Sequence, residues 1–214
     1  MEYFKNNRFL LFLIFLFIGI AYPLFSKDPR TLELYSTINY SLILLSGLYA
    51  FSEHRKFFRY MTIFFILTIM VEWLQFFIAG HLLNSIQPLM TSIVLVLLLV
   101  MTLRSLSSAP VVNQNVIYGV VSGYVLIGFI GGLLAIAIAW AYPDAFNVDG
   151  IISGPQAIYY SFITMTTLGY GDITPTIQET RSLSILLSIL GPMYVAIIVA
   201  LMVGKFAASN GTKK

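Results

Sequence analysis

Cysteine is absent from this 214-residue chain, which excludes a disulfide framework, a thiolate metal site and a cysteine nucleophile. Charge is scarce as well. Asp, Glu, Lys and Arg make up 10% of the residues, against about 25% in a soluble domain. Two histidines, His54 and His81, cannot assemble a structural zinc site without other ligands. A net charge of +3, scattered along the chain, excludes nucleic-acid binding as a function. No catalytic constellation is visible, so an enzyme is not expected. What remains is apolar: 58% of residues are hydrophobic and the mean hydropathy is +0.88. So few charges cannot coat a surface in water, and the chain reads as an all-α protein embedded in lipid. Its chemistry must come from the backbone or from isolated polar residues.

A spanning helix needs about 20 mainly apolar residues. Six stretches meet or approach this: Phe9–Phe25, Tyr35–Ser52, Phe57–Gly80, Gln87–Leu103, Val116–Ala141 and Ser182–Phe206. Lys5 and Arg8 ahead of the first could open a secretory signal. The segment Ala21–Ser26 lacks a small-x-small cleavage pattern and contains Pro23, so the first stretch is read as a retained membrane helix. Residues 1–104 then form a four-helix block, 105–115 a polar linker containing Pro110, and 116–206 a helix, a loop and a helix. The tail 207–214 is short, and no cytoplasmic ligand-binding domain is expected.

Charge placement orients this arrangement. With the N-terminus inside, Lys5, Arg8, Arg55, Lys56, Arg59, Arg104, Lys205, Lys213 and Lys214 face the cytoplasm. Lys27, Arg30 and Arg181 fall outside, together with Asp28, Glu33, Asp144, Asp149, Asp172 and Glu179. That bias follows the positive-inside rule and puts both termini in the cytoplasm. The segment 151–180 is too polar and too rich in Gly and Pro to span, and it lies on the external side.

Irregular backbone at membrane depth is tolerated only where it is buried in protein or lines water. Within this segment, Ser153-Gly154-Pro155 reads as a helix start, with Ser or Gly as N-cap and Pro at the first helical position. A helix over 155–166 would be ~18 Å long, enough to enter half a bilayer and stop. Its C-terminal end carries partial negative charge and favours a cation where hydration is poorest. Beyond it, Gly169 and Gly171 can take left-handed backbone angles that other residues resist. Alternating hands of twist turn successive carbonyls the same way.

The run Thr164-Met165-Thr166-Thr167-Leu168-Gly169-Tyr170-Gly171-Asp172 resembles the pore loop of potassium channels. In that family backbone carbonyls replace the hydration shell of the ion, and this mechanism comes with the resemblance. It implies that the filter is residues 167–171. Thr167, Leu168, Gly169 and Tyr170 would coordinate K+ through carbonyls, Thr167 also through its hydroxyl. Thr166, Gly171 and Asp172 would support them, with Tyr170 turned into a cuff made by Tyr159 and Tyr160. Closing such a ring takes several copies, and the family uses four, so a homotetramer is implied. The external placement of the loop, reached from charge alone, agrees. Gly191 lies 20 positions after Gly171, and with Pro192 it resembles the hinge of the inner helix of bacterial potassium channels. A gating hinge and a fixed bend both remain open for this pair. Departures from the family are local: Tyr159 and Tyr160 stand where a Trp pair is common, and Ile163 where some members have an acid.

Gly119, Gly123, Gly128, Gly131 and Gly132 in the fifth stretch read as close helix contacts. Six spans with the loop after the fifth resemble voltage-gated channels, but the fourth stretch has one arginine, Arg104, at its inner end. Moving one charge through 100 mV supplies only about 2.3 kcal/mol, so steep voltage gating is not expected. Glu72, with Gln75 on the same face, reads as an intramembrane polar site: a proton or ligand sensor, or a protonated or paired structural group near the outer interface. His54 reads as a solvated loop residue. The expected function is passive K+ conduction across the plasma membrane of a prokaryote, with membrane lipids and further copies as partners. A weakly selective cation channel and an accessory pore subunit are the alternatives.

Overall fold

The structure is a computed structural model that describes residues 7–51, 55–78, 80–109 and 112–211. Lys5, His54, Pro110, Lys213 and Lys214 lie outside the described residues. Seven α-helices are present among the described residues: α1 (Arg8–Ala21), α2 (Pro29–Ala50), α3 (Arg55–Phe77), α4 (His81–Ser108), α5 (Gln114–Ala141), α6 (Gly154–Met165) and α7 (Gln178–Gly211). A short 3-10 turn, Tyr22–Leu24, ends the first helix where Pro23 withholds a donor.

The helix starts are written in side-chain chemistry. Asp28 caps α2 by accepting from the Thr31 amide at 2.9 Å and its hydroxyl at 2.7 Å. Those two bonds, the hydroxyl's first, hold the Asp28 carboxyl below the usual carboxylate range. Asn113 caps α5 by accepting from the Val116 amide at 3.0 Å. Three helices begin four or more residues before their apolar stretches, α2 at Pro29 among them. α4 starts at His81, so Pro88 lies inside it and not at its head. α7 starts at Gln178, with Glu179 in its first turn complementing the helix dipole.

Among the described residues, three helical segments are long and apolar enough to cross a membrane: Leu83–Ser108, Gln114–Ala141 and Gln178–Lys205. Shorter apolar segments run over Arg8–Leu24 and Met61–Phe77. Helix α2 has 22 residues but is diluted by Arg30, Glu33 and Asn39.

Helix α5 is the hub, packed by α1, α4, α6 and α7. In lipid the hydrophobic effect does little to hold helices together, so close approach of small residues must. The α5 glycines supply that approach. A Cβ at Gly119 would press on Leu106 and Phe9, one at Gly123 on the Tyr194 hydroxyl, and one at Gly128 on the Phe162 ring. At Gly131 it would meet Ser161 and Leu187, and at Gly132 Ile158. One core runs from Phe12 and Leu16 through Ile43, Leu44, Phe65, Leu95 and Leu98 to Leu126 and Phe129. It therefore ties the first four helices to α5, and the expected linker 105–115 is helical over 105–108 and 114–115. A second core gathers Ala135, Phe146, Tyr160, Met165, Leu187 and Tyr194 around the α5–α6–α7 unit.

The ends of the helices sort into two groups. The Phe9 amide donates to Asn115 Oδ1 at 3.0 Å, and Lys205 reaches the end of α4, so α1, α4, α5 and α7 share one end. The loops 142–153 and 172–177 gather at the other.

Candidate functional site

Helix α6 is the short helix expected from Ser153-Gly154-Pro155, displaced by one residue. Ser153 is its N-cap, Gly154 its first residue and Pro155 its second. Gln156 Oε1 accepts from the Ser153 amide at 3.0 Å and hydroxyl at 2.8 Å, which fixes the entry angle of the chain.

At its other end the helix runs into the loop that the sequence singles out. The Thr166 amide donates to the Phe162 carbonyl at 3.0 Å, and the Thr167 amide to the Thr164 carbonyl at 3.0 Å. The Ile163 carbonyl takes two donors, the amides of Leu168 and Gly169, each at 3.0 Å. The Thr166 hydroxyl adds a 2.7 Å bond to the Phe162 carbonyl. Three orphan carbonyls of the helix end, those of Phe162, Ile163 and Thr164, thus accept from amides of the loop, whose N–H groups point back into α6.

Their carbonyls are left free. Among the described residues, no hydrogen bond within the chain ends on the carbonyl oxygen of Thr167, Leu168, Gly169 or Tyr170. The backbone twist explains this. Thr167 has φ 61°, Gly169 54° and Gly171 81°, whereas Leu168 and Tyr170 between them stay on the ordinary side. The glycines were expected to turn left-handed. Thr167 was not, because a β-branched residue there is strained by about 1 kcal/mol or more. Strain of this kind persists only where the surroundings over-determine it, and it gathers at functional sites.

Side chains around the loop divide differently from the expected cuff. The Tyr159 hydroxyl donates to Asp172 Oδ2 at 2.7 Å, which ties the helix to the loop's exit. Tyr160 is only 2% exposed and turns the other way, hydrogen-bonded to Ser184 of α7 with its ring edge-on to Phe146. Tyr170 is 68% exposed and Leu168 55%, so neither tyrosine of the same chain encloses Tyr170.

The exit is held by residues that sequence reasoning missed. Asn147 donates through Nδ2 to the Asp172 carbonyl at 3.3 Å and accepts from the Thr174 amide through Oδ1. Its amide donates to the Thr174 carbonyl at 3.1 Å, and the Thr176 amide to the Ala145 carbonyl at 3.1 Å. The Thr176 hydroxyl bonds the Asp144 carbonyl, and the Thr180 hydroxyl the Ala145 carbonyl at 2.9 Å. Asn147 precedes Asp172 by 25 positions, and only the approach of the two loops brings them together. The one sequence signal was an Asn in a loop rich in turn formers.

Gly191 lies where α7 crosses the end of α6. A Cβ there would collide with the Met165 carbonyl oxygen, a backbone atom that cannot step aside. Pro192 sits inside a helix that continues unbroken from Gln178 to Gly211. Gly191 thus has a packing role beside whichever motion it permits. Glu72 and Gln75, on α3, take no part in this site: Gln75 Nε2 donates to Asn84 Oδ1 at 3.1 Å, and Glu72 bonds Gln87 and Thr91 of α4.

The arrangement can offer a row of neutral, hard oxygen ligands to a monovalent cation. Among the described residues no group of three or more His, Cys, Asp or Glu side chains could hold a metal ion. Comparisons with known proteins point the same way. Residues 119–208 match the family model described as ion channel. A 70-residue stretch is 36% identical to two-pore potassium channel 2 of Arabidopsis thaliana, covering 33% of this chain and 16% of that protein. The chain therefore matches only a small part of that relative's length. No solved structure matches the chain. Together these findings support an ion channel domain over residues 119–208, similar to part of a potassium channel, in an all-helical chain with three helices able to cross a membrane.

Proposed function

We propose that this chain is one wall of a potassium-selective pore and that four copies close it. The carrying observation is the row of four successive main-chain carbonyls, Thr167 to Tyr170, that find no donor within their own chain. Backbone acceptors at membrane depth cannot stay unpaired, because each costs several kcal/mol in hydrocarbon. A desolvated K+ shared among copies satisfies all of them at once, and a single chain offers too few oxygens to do so. The Thr167 hydroxyl adds a further ligand, and the C-terminal end of α6 aims its partial negative charge at the same place.

The exposed surfaces support this assembly as well. The window of α7 that could cross a membrane is only 22% buried, against 72% for α5, though both are strongly apolar. Ile185, Leu186, Ile189, Leu190 and Met193 all lie open along it. A helix with apolar residues on every side is built for neighbours on every side. In the proposed tetramer α7 lines the inner cavity, the exit loop at Asn147 and Asp172 faces outside, and Lys205 lies at the cytoplasmic end.

The test is flux through the purified chain reconstituted alone in liposomes. K+ uptake with K+ preferred over Na+ is expected, and it is expected to vanish for Gly169→Ala and Tyr170→Ala. Unchanged preference in both variants would remove the filter from these residues. No flux from the chain alone, with flux on adding a partner, would make it an accessory subunit.

A further inference from the structure

A second site lies away from the loop. A cavity of about 530 Å³ opens between α2, α3, α5 and the segment leading into α6, within the range of small-molecule sites. Its walls are chemically one-sided. Two carboxylates line it, Glu33 and Glu72, with the aromatic rings of Tyr22, Tyr40 and Trp140, and no Lys, Arg or His is among the lining residues. Glu72 is 3% exposed. Its Oε1 accepts from Gln87 Nε2 and from the Thr91 hydroxyl, both at 3.2 Å, while its Oε2 is buried with no partner. A buried carboxylate oxygen without a donor is costly, and a cationic donor is the group that best offsets it.

We propose that this cavity is a binding site for an organic ammonium group, with Glu72 Oε2 as its counter-ion and the aromatic rings around its methylenes or methyls. Acid plus aromatic faces is how proteins hold alkylammonium groups, because ring quadrupoles attract cations and the apolar stem is sheltered from water. A bare metal ion does not fit: the space far exceeds one ion, and no third carboxylate or imidazole joins the two. The N-terminal end of α6 on the rim carries partial positive charge. It amounts to about half a charge against two carboxylates, and Gln156 already occupies the Ser153 amide. Since Ser153, Gly154 and Pro155 form part of the wall, an occupant touches the entry of α6 directly. Free amines and the ammonium of a phosphatidylethanolamine headgroup share this chemistry.

Binding is measured on the full chain in nanodiscs of phosphatidylglycerol, with 2-phenylethylammonium as probe and 2-phenylethanol as its uncharged counterpart. Saturable stabilisation against heat by the ammonium and none by the alcohol is expected. Glu72→Gln is expected to raise the Kd at least about tenfold. Ser36→Phe, which fills the cavity from a half-exposed position and leaves the carboxylate in place, is expected to do the same, and serves if Glu72→Gln does not fold. Gly169→Ala is expected to bind like the parent, which separates this site from any block of the pore. Replacing the lipid with phosphatidylethanolamine distinguishes the sources: competition with the probe assigns the headgroup, and its absence a free amine. Equal stabilisation by the alcohol, or full binding retained in both cavity variants, would overturn the proposal.

Discussion

At Gly169 the missing side chain matters for torsion, whereas at Gly191 it matters for space. A Cβ at Gly169 meets nothing within 4 Å, but the residue stands at φ 54°. Ala there costs about 1–2 kcal/mol in twist alone and turns carbonyls out of line. Its expected signature is lost ion preference with nearly unchanged thermal stability. Gly191→Ala is the mirror case: its φ is ordinary, and the Cβ would overlap the Met165 carbonyl. Overpacking of that kind costs about 1–3 kcal/mol, so a lower melting midpoint is expected before any effect on gating. If Gly191→Ala melted like the parent and only its opening kinetics changed, the hinge reading would be the better one. Asn147→Ala is expected to shorten the conducting life of the filter, because it strips the Asp172 carbonyl and the Thr174 amide of their bonds. K+ flux that decays faster from the same initial rate is the measurement.

Among the elements, α7 is joined to the rest of the fold at three levels. Near its start Tyr160 of α6 bonds Ser184, and midway Gly191 abuts the end of α6. Toward its other end Lys205 Nζ donates to the carbonyls of Leu106 at 2.7 Å, Ser107 at 2.9 Å and Ala109 at 2.6 Å. Those carbonyls close α4 and have no partner further along the helix, so a cation there both caps it and complements its dipole. The contact is a direct polar link between α4 and α7. Lys205→Met is expected to lower the melting midpoint and to raise deuterium uptake across 104–109, with Lys205→Arg restoring part of both. Unaltered exchange would show that the three bonds carry no weight. The Tyr194 hydroxyl, donating to the Val120 carbonyl at 2.7 Å, adds a link between α7 and α5 at mid-height.

For the whole molecule, charge and exposed surface decide what can be asked of it. Arg104 is exposed near the end of α4 and is the lone arginine or lysine of that helix. A conductance that changes only shallowly with voltage is therefore expected. A steep curve needing several charges per subunit would contradict the reading of α4 as a packing helix. The apolar exposure of α7 sets the second expectation, that native mass measurement of the purified protein gives four copies. A conducting monomer would refute the shared-carbonyl account.

The helical character of the chain, the short helix α6 and the left-handed glycines of the loop were legible in the chain, because hydropathy, caps and glycines act over a few neighbouring residues. The packing role of the α5 glycines was legible for the same reason, as small residues recur along one helix. Thr167 in the left-handed region was not, since propensity argues against it and only the tie of the Leu168 and Gly169 amides to Ile163 imposes it. Nor were the parting of Tyr159 from Tyr160, the clasp at Asn147, the Lys205 cap or the one-sided cavity at Glu72. Each joins residues far apart in the chain, and a contact of that range exists only after the helices have docked. The sequence by itself determined that the chain carries helices apolar enough to cross a membrane and a glycine-marked loop after α6. Tertiary structure alone decided which oxygens stay free, because a carbonyl is known to lack a partner only when every neighbour has been placed.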